Sequence, residues 1–271
     1  MNTLSSRDNP HFKRLKKLIF SARARRKNAQ IVLDGLHLIE VYQARFGWSG
    51  DSELIISEHG AAQKSIADYL MQTAQLKIKP KVMLLCDVLF NELACVEAPS
   101  GIMAITSQPL ALAPVSQTVD SLLLDGVQDP GNLGSILRSA AAAGFRQILL
   151  SSDCAQAWSP KSLRAGMGAH FQLDIHERCD LIKFLDNYAG KSIVTALNSQ
   201  QSLYETNLQG SVAWVFGCEG QGVRPTVLAA TDCSLCIPMP GGMESLNVAA
   251  AAAICLFETV RQRNNDFSSK I

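Results

Sequence analysis

The stretch Leu122-Leu123-Leu124-Asp125-Gly126-Val127-Gln128-Asp129-Pro130-Gly131-Asn132-Leu133-Gly134-Ser135-Ile136-Leu137-Arg138 decides the fold. It opens on three consecutive leucines, too short for a helix and too uniformly apolar for a half-exposed strand, so it reads as a buried strand of a parallel sheet. A turn follows, and then a helix predicted over Asn132 to Ala143, with Gly144 just past its end. Leu133, Ile136, Leu137, Ala140 and Ala141 form one apolar face, whereas Gly131, Gly134 and Arg138 are spaced i, i+3, i+7 on another. Small residues beneath one Arg at a helix start suit a phosphate or ribose that must approach the backbone.

The same alternation extends in both directions. Downstream, strands are predicted at Ile148–Leu150, Ile193–Leu197, Val212–Phe216 and Leu235–Ile237, and helices at Leu181–Tyr188 and Asn247–Arg261. Upstream, strands are predicted at Ile31–Leu33, Leu54–Ile56, Val82–Leu85 and Gly101–Thr106. Helices fall at His11–Phe20, Gly35–Ala44 and Ala61–Met71. Gln108 to Thr118 holds two prolines and no charge, and reads as a linker. The expectation is two α/β domains, 1–107 and 119–264, joined by 108–118 and followed by a tail, 265–271.

Net charge is +1 over 271 residues, which taken alone argues against a polybasic binder. The average hides a split. Arg7, Lys13, Arg14, Lys16, Lys17, Arg23, Arg25, Arg26 and Lys27 face a single acid, Asp8, so residues 1–30 carry +8 and the remainder −7. That split points to an anionic partner at the N-terminal end, with nucleic acid the leading candidate. The four Tyr and three Trp are spread along the chain and form no base-stacking platform.

Several classes are excluded. The first ten residues have no apolar core, so no secretory signal is read there. The longest apolar run, Val248 to Phe257, has ten residues against the ~20 of a membrane helix. Most of the eight cysteines lie in apolar stretches and are expected to be reduced and buried, in a cytoplasmic protein. Cys233 and Cys236 lack further ligands, so no metal is expected. No G-x-S-x-G, H-E-x-x-H, P-loop or zinc-deaminase signature is present. Trp214-Val215-Phe216-Gly217-Cys218-Glu219-Gly220-Gln221-Gly222 is Gly-rich after a strand but has the wrong spacing for a dinucleotide fingerprint. In Cys236-Ile237-Pro238-Met239-Pro240-Gly241-Gly242-Met243-Glu244-Ser245-Leu246-Asn247-Val248 a strand runs through a Pro/Gly loop into a helix, with Ser245 the expected N-cap.

Together these segments resemble the SpoU/TrmH class of RNA ribose 2′-O-methyltransferases, in the SPOUT superfamily. Asn132-x-Gly134-x-Ile136-x-Arg138 is similar to that family's first motif and Gly217-x-Glu219-x-x-Gly222 to its second. Ile237-Pro238-Met239 with Ser245-Leu246-Asn247-Val248 is similar to its third. Ser159-Pro160-Lys161 to Ala169 resembles the stretch between the first two, although Gly166 and Ala249 stand where the family often has Ser. Ser6-x-x-Asn9-Pro10 and the basic helix after it resemble the family's N-terminal substrate-binding domain, akin to a ribosomal-protein RNA-binding fold.

The resemblance implies a small α/β RNA-binding domain and a mostly parallel α/β SPOUT domain with a deep trefoil knot, here over about Ser211 to Arg261. It implies S-adenosyl-L-methionine held by backbone groups near Leu197, Gly217, Ile237 and Leu246, and a homodimer with the active site at its interface. It gives catalytic roles to Arg138, Asn132, Glu219, Ser245 and Asn247. Asn132 would orient Arg138 or the ribose, and Glu219 would position Arg138 or a backbone amide. RNA is the implied partner, with 23S rRNA favoured over tRNA by analogy. The alternatives are a tRNA methyltransferase, a non-catalytic RNA-binding or ribosome-assembly protein, and a small-molecule α/β enzyme.

Overall fold

A computed structural model describes residues 3–94, 98–196 and 199–264. They form two compact units. The first comprises Met1–Pro109 with Trp158–Phe171, and the second Leu110–Ala157 with Gln172–Ile271. The segment 158–171, inside the 119–264 domain of the sequence reading, thus groups with the first unit.

The first unit runs β1 (Thr3–Leu4), α1 (Pro10–Phe20), α2 (Ala22–Asn28), β2 (Gln30–Asp34), α3 (Leu36–Phe46), β3 (Glu53–Ser57), α4 (Glu58–Ala61), α5 (Lys64–Ala74), β4 (Lys81–Leu85), α6 (Asp87–Leu93) and β5 (Ile102–Ser107). The sheet order is β1-β4-β3-β5-β2, with β5 antiparallel to both neighbours and the other pairs parallel. Asn9 starts α1 by accepting the His11 N–H (2.8 Å), with Pro10 at the first helical position. Phe12, Leu15, Leu18 and Ile19, on one face of α1, are buried with Val32, Ile55, Met103 and Ile105 of the sheet and Leu89, Phe90 and Leu93 of α6. Each such side chain contributes roughly 1.5–3 kcal/mol by leaving water. The single helix expected over Ala61–Met71 is two, because the Ser57 hydroxyl caps a separate first turn (Gly60 N–H to Oγ, 2.8 Å).

The second unit runs β6 (Ser121–Asp125), α7 (Pro130–Ala142) and β7 (Gln147–Leu150). After α8 (Pro160–Gly166), which belongs to the first unit, come β8 (Asp174–His176), α9 (Leu181–Leu185), β9 (Lys191–Thr195), β10 (Val212–Gly217), α10 (Pro225–Ala229), β11 (Cys233–Leu235) and α11 (Val248–Arg263). All six strands are parallel, in the order β11-β9-β10-β6-β7-β8. Leu122, Leu123, Leu124, Trp214 and Phe216 of the central pair are fully buried. The Trp214 indole donates to Thr259 Oγ1 (3.0 Å), tying α11 to β10. Gly144 takes φ +83° beyond α7, as a helix-ending glycine should.

Three expectations need correction. The strand expected at Leu235–Ile237 is Cys233–Leu235. Cys236 instead bridges the segment at Ser202, donating its N–H to Gln201 O (2.8 Å) and accepting from Leu203 N–H (2.9 Å). The α9 helix ends at Leu185 rather than Tyr188, closing through tighter bonds such as Asn187 N–H to Phe184 O (3.2 Å). The described cysteines form no disulfide with one another, but only Cys255 among them is buried and six are half-buried. No helix among the described residues is long and apolar enough to cross a membrane. They also hold no cluster suited to a metal. The expected tail, 265–271, lies outside the described residues.

Candidate active site

From β6 the chain proceeds to β7 and β8 on one side of the sheet; from β10 it proceeds toward β11 on the other. β6 and β10 are neighbours, with Asp125 paired to Gly217 at their ends. Their connections therefore leave in opposite directions, which opens a crevice at the carboxyl ends where ligands bind in open α/β sheets. All three Gly-rich segments of the sequence come to this end.

Asp129 caps α7 by accepting the Asn132 N–H (2.8 Å), which sets Asn132 in the first turn. Asn247 caps α11, its Oδ1 accepting the N–H groups of Ala249 (2.9 Å) and Ala250 (3.3 Å). Ser245 is therefore not the cap: the helix begins at Val248, within reach of the Asn247 side chain. With Oδ1 committed to the helix, only the Asn247 amide nitrogen is left to turn outward, and it donates to Asn132 Oδ1 (3.0 Å). Asn132 Nδ2 then donates to Glu219 Oε1 (2.7 Å). The capped helix thus fixes the polarity of the whole chain from α11 through Asn247 and Asn132 to Glu219. Glu219 sits on a tight loop closed by Cys218 N–H to Gly222 O (3.0 Å) and Gly222 N–H to Cys218 O (2.8 Å). A Cβ on Gly217 would lie inside the Gly222–Val223 peptide, so only glycine permits that loop.

A second cluster, absent from the sequence reading, anchors the loop from below. The fully buried Asp125 carboxylate accepts the Arg224 N–H (2.9 Å) and Nε–H (2.8 Å), and pairs with Nη2 at 2.6 Å. Arg224 Nη1 also lies 3.8 Å from Asp153. Hydrogen bonding to Asp125 raises the already high pKa of Arg224. The available signal was Asp125 itself, a carboxylate ending an apolar strand, which burial obliges to find a partner.

Asn132, Glu219 and Asn247 are brought together; Arg138 and Ser245 are not in that chain of hydrogen bonds. Arg138 is exposed on α7 and makes no side-chain hydrogen bond or ion pair among the described residues. Asn132 is hydrogen-bonded to Glu219, and no hydrogen bond joins it to Arg138 among the described residues. Ile237 is half-buried and Leu246 exposed, whereas Leu197 lies outside the described residues. Within 237–247 one main-chain hydrogen bond is made among these residues, Gly242 N–H to Met239 O (3.1 Å). Cys154 donates to Leu124 O (3.1 Å) at the strand ends, but burial pushes its thiol up, so it is no thiolate nucleophile.

The model of the SpoU rRNA Methylase family matches residues 121–257, the span that carries all of these groups. The chain belongs to the SpoU rRNA methylase family. It is therefore an RNA methyltransferase. Among its SpoU relatives, the protein of Bacillus subtilis named 23S rRNA (guanosine(2553)-2′-O)-methyltransferase RlmP is 31% identical over 260 residues, covering 95% of this chain and 98% of the relative. An uncharacterized tRNA/rRNA methyltransferase of Synechocystis is 32% identical over 265 residues, covering 96% and 94%. A crystal structure of an RNA 2′-O ribose methyltransferase superposes with TM-score 0.81 at 25% identity, covering 97% and 99%.

In the first unit of this SpoU protein the basic residues divide. Lys17, Arg23, Arg26 and Lys27 are exposed and form no ion pair among the described residues. Arg7 pairs with Glu92, Lys13 with Asp8 (2.9 Å), Lys16 with Glu92 (3.7 Å) and Arg14 with Glu53 (2.8 Å). Arg25 is corrected: it is buried, and its guanidinium donates to Leu18 O (2.9 Å) and Ile19 O (2.6 Å), closing the end of α1. It is a structural cation, not a phosphate contact.

Proposed function

We propose that the protein transfers a methyl group from S-adenosyl-L-methionine to a ribose 2′-hydroxyl of structured RNA, with 23S rRNA the favoured substrate. The observation that carries this reading is the Glu219–Asn132–Asn247 chain, which joins one residue from each of the three motif segments in one place. Membership in the SpoU family and the rRNA substrate in the name of the Bacillus subtilis relative support it.

The cofactor supplies an electrophilic methyl on a sulfonium. Main-chain groups near Ile237 and Leu246 that meet no partner among the described residues suit its polar parts, the backbone at Gly217 would lie beside them, and the exposed apolar side chains of Met243 and Leu246 suit its base. Arg138 is a permanent cation with five donors and no acceptor, so it binds RNA phosphate and stabilises charge developing on the 2′-oxygen. The proton leaves to phosphate or water. The Glu219 oxygen not used by Asn132 accepts from the ribose or from Arg138, and Ser245 shapes the pocket beside it. Proximity and orientation supply much of the barrier reduction. The exposed cations of α1 and α2 hold RNA phosphates. We further assign this chain a trefoil knot over about 211–261, a homodimer that completes the active site, and a cytoplasmic location beside its rRNA substrate.

A single-turnover assay with labelled S-adenosyl-L-methionine and 23S rRNA tests the assignment. Arg138→Ala should lower methyl transfer at least about 10²-fold at saturating RNA, as loss of a charge-stabilising donor does elsewhere. Full transfer by that variant would remove Arg138 from the chemistry. Methylation of tRNA in place of rRNA would replace the substrate.

A further inference from the structure

Strand β2 is an edge strand of the first unit and ends in Asp34, whose side chain is 4% exposed. A carboxylate buried that deeply needs several donors. Among the described residues its one side-chain partner is Arg164 of α8, Nη1 to Oδ2 at 3.4 Å, and Oδ1 accepts nothing. That distance is well beyond the ~2.7–2.9 Å of a good charge-assisted bond. Burial raises the Asp34 pKa above the ordinary carboxylate value, and Arg164 offsets this only in part. The pair stands open at a cleft of about 250 Å³ that is also lined by Leu36, His37, Ser100 and Met167. Gly35 gives the first turn of α3 no side-chain cap at this place.

We propose that this cleft binds a guanine base of the RNA substrate, Asp34 accepting from its N1–H and N2 amino group and Arg164 donating to O6. The inference rests on the RNA-substrate reading above. A carboxylate only accepts and a guanidinium only donates, so the ligand must present donors beside an acceptor. Guanine alone among the four bases offers two adjacent donors and then an acceptor along one edge. That order, amino, imino, carbonyl, follows the order Oδ1, Oδ2, Nη1 in the cleft. Adenine and cytosine offer the carboxylate one amino group, and uracil one imide flanked by acceptors. The volume lies below the ~300–1,000 Å³ of pockets for drug-sized ligands, which suits a single base. Leu36 and the Met167 thioether give the ring apolar surface to lie on. Unstacked bases of single-stranded RNA are read in this way, on their Watson–Crick edges.

The test is fluorescence anisotropy of the full chain with a uridine-rich hexanucleotide carrying one central guanosine. The same oligonucleotide with adenosine, cytidine or inosine at that position is compared. Guanosine should bind about tenfold more tightly than adenosine, within the range of a good bidentate contact, with inosine between them because it lacks the amino group. Asp34→Asn should reduce that preference to about twofold or less while the all-uridine oligonucleotide binds unchanged. Arg164→Gln, at a side chain 43% exposed, should do the same and decides the matter should Asp34→Asn not fold by thermal melting. Equal or weaker binding of guanosine, or a preference that survives in a folded Asp34→Asn or Arg164→Gln protein, overturns the site. Methyl transfer to 23S rRNA is measured on the same preparation. Transfer without a guanosine preference removes this site alone, whereas a preference without transfer removes the catalytic reading.

Discussion

Two polar clusters sit a few residues apart at the carboxyl ends of β6 and β10, and they are built oppositely. Asp125 is fully buried and uses both oxygens on the main chain and guanidinium of Arg224. Glu219 is exposed and spends one oxygen on Asn132, and the other has no partner among the described residues. A buried carboxylate must be saturated, so Asp125 has nothing to offer a ligand and serves to hold the 217–224 loop. An exposed one can remain part-satisfied cheaply, so Glu219 can keep capacity for substrate. Burial, more than residue type, separates the saturated carboxylate from the one we propose to act on substrate.

The largest expected effect tests the scaffold side. Arg224→Ala leaves a buried carboxylate with one main-chain donor and should cost about 3–5 kcal/mol, read as a fall in the thermal midpoint of roughly 10 °C. A change below about 1 kcal/mol would mean that Asp125 is not the anchor. Glu219→Ala is the counterpart. Stability should move by no more than about 0.5 kcal/mol while single-turnover methyl transfer drops roughly 10²-fold. A large destabilisation would erase the contrast.

Asn247 belongs to both sides, and two substitutions separate its roles. Asn247→Ala should cost about 1 kcal/mol through loss of the cap, along with methyl transfer. Asn247→Asp keeps an acceptor for Ala249 and Ala250 and puts favourable negative charge at the N-terminus of α11. It has no donor for Asn132, so stability should be retained and transfer lost. Transfer at the original rate in Asn247→Asp would disprove the donor chain.

The smallest effect repeats the contrast within α2. Arg23→Ala and Arg26→Ala should each reduce the salt slope of RNA binding by about 1, with unchanged melting. Arg25→Ala should lower the melting temperature and leave the slope alone. An equal slope change for all three would put Arg25 back among the phosphate contacts.

Much of this was legible along the chain. The strand cores are short apolar runs, and burial on both faces of a parallel sheet leaves that signature wherever it occurs. The motif residues were legible only through the resemblance to the SpoU/TrmH family; the close backbone approach that requires glycine at Gly217 shows in the folded chain. The N-cap of α11 was misplaced by two residues because Ser245 and Asn247 are both good caps, and only the path of the loop selects between them. Arg25 was misassigned because charge counting is blind to burial, and the buried face of α2 is set by contact with the end of α1.

The sequence by itself determined the two α/β patterns, the +8 and −7 division, and the three Gly-rich segments that resemble the family motifs. Each of these is local: hydrophobic period, turn residues and charge are properties of neighbours in the chain. Only the tertiary structure decided which polar groups meet. Asn132, Glu219 and Asn247 span 115 residues, Asp125 and Arg224 are 99 apart, and Asp34 and Arg164 are 130 apart. The sheet order 11-9-10-6-7-8 makes β6 and β10 neighbours, and a pairing of strands so distant in sequence is fixed by the packing of the whole core rather than by any residue near the site.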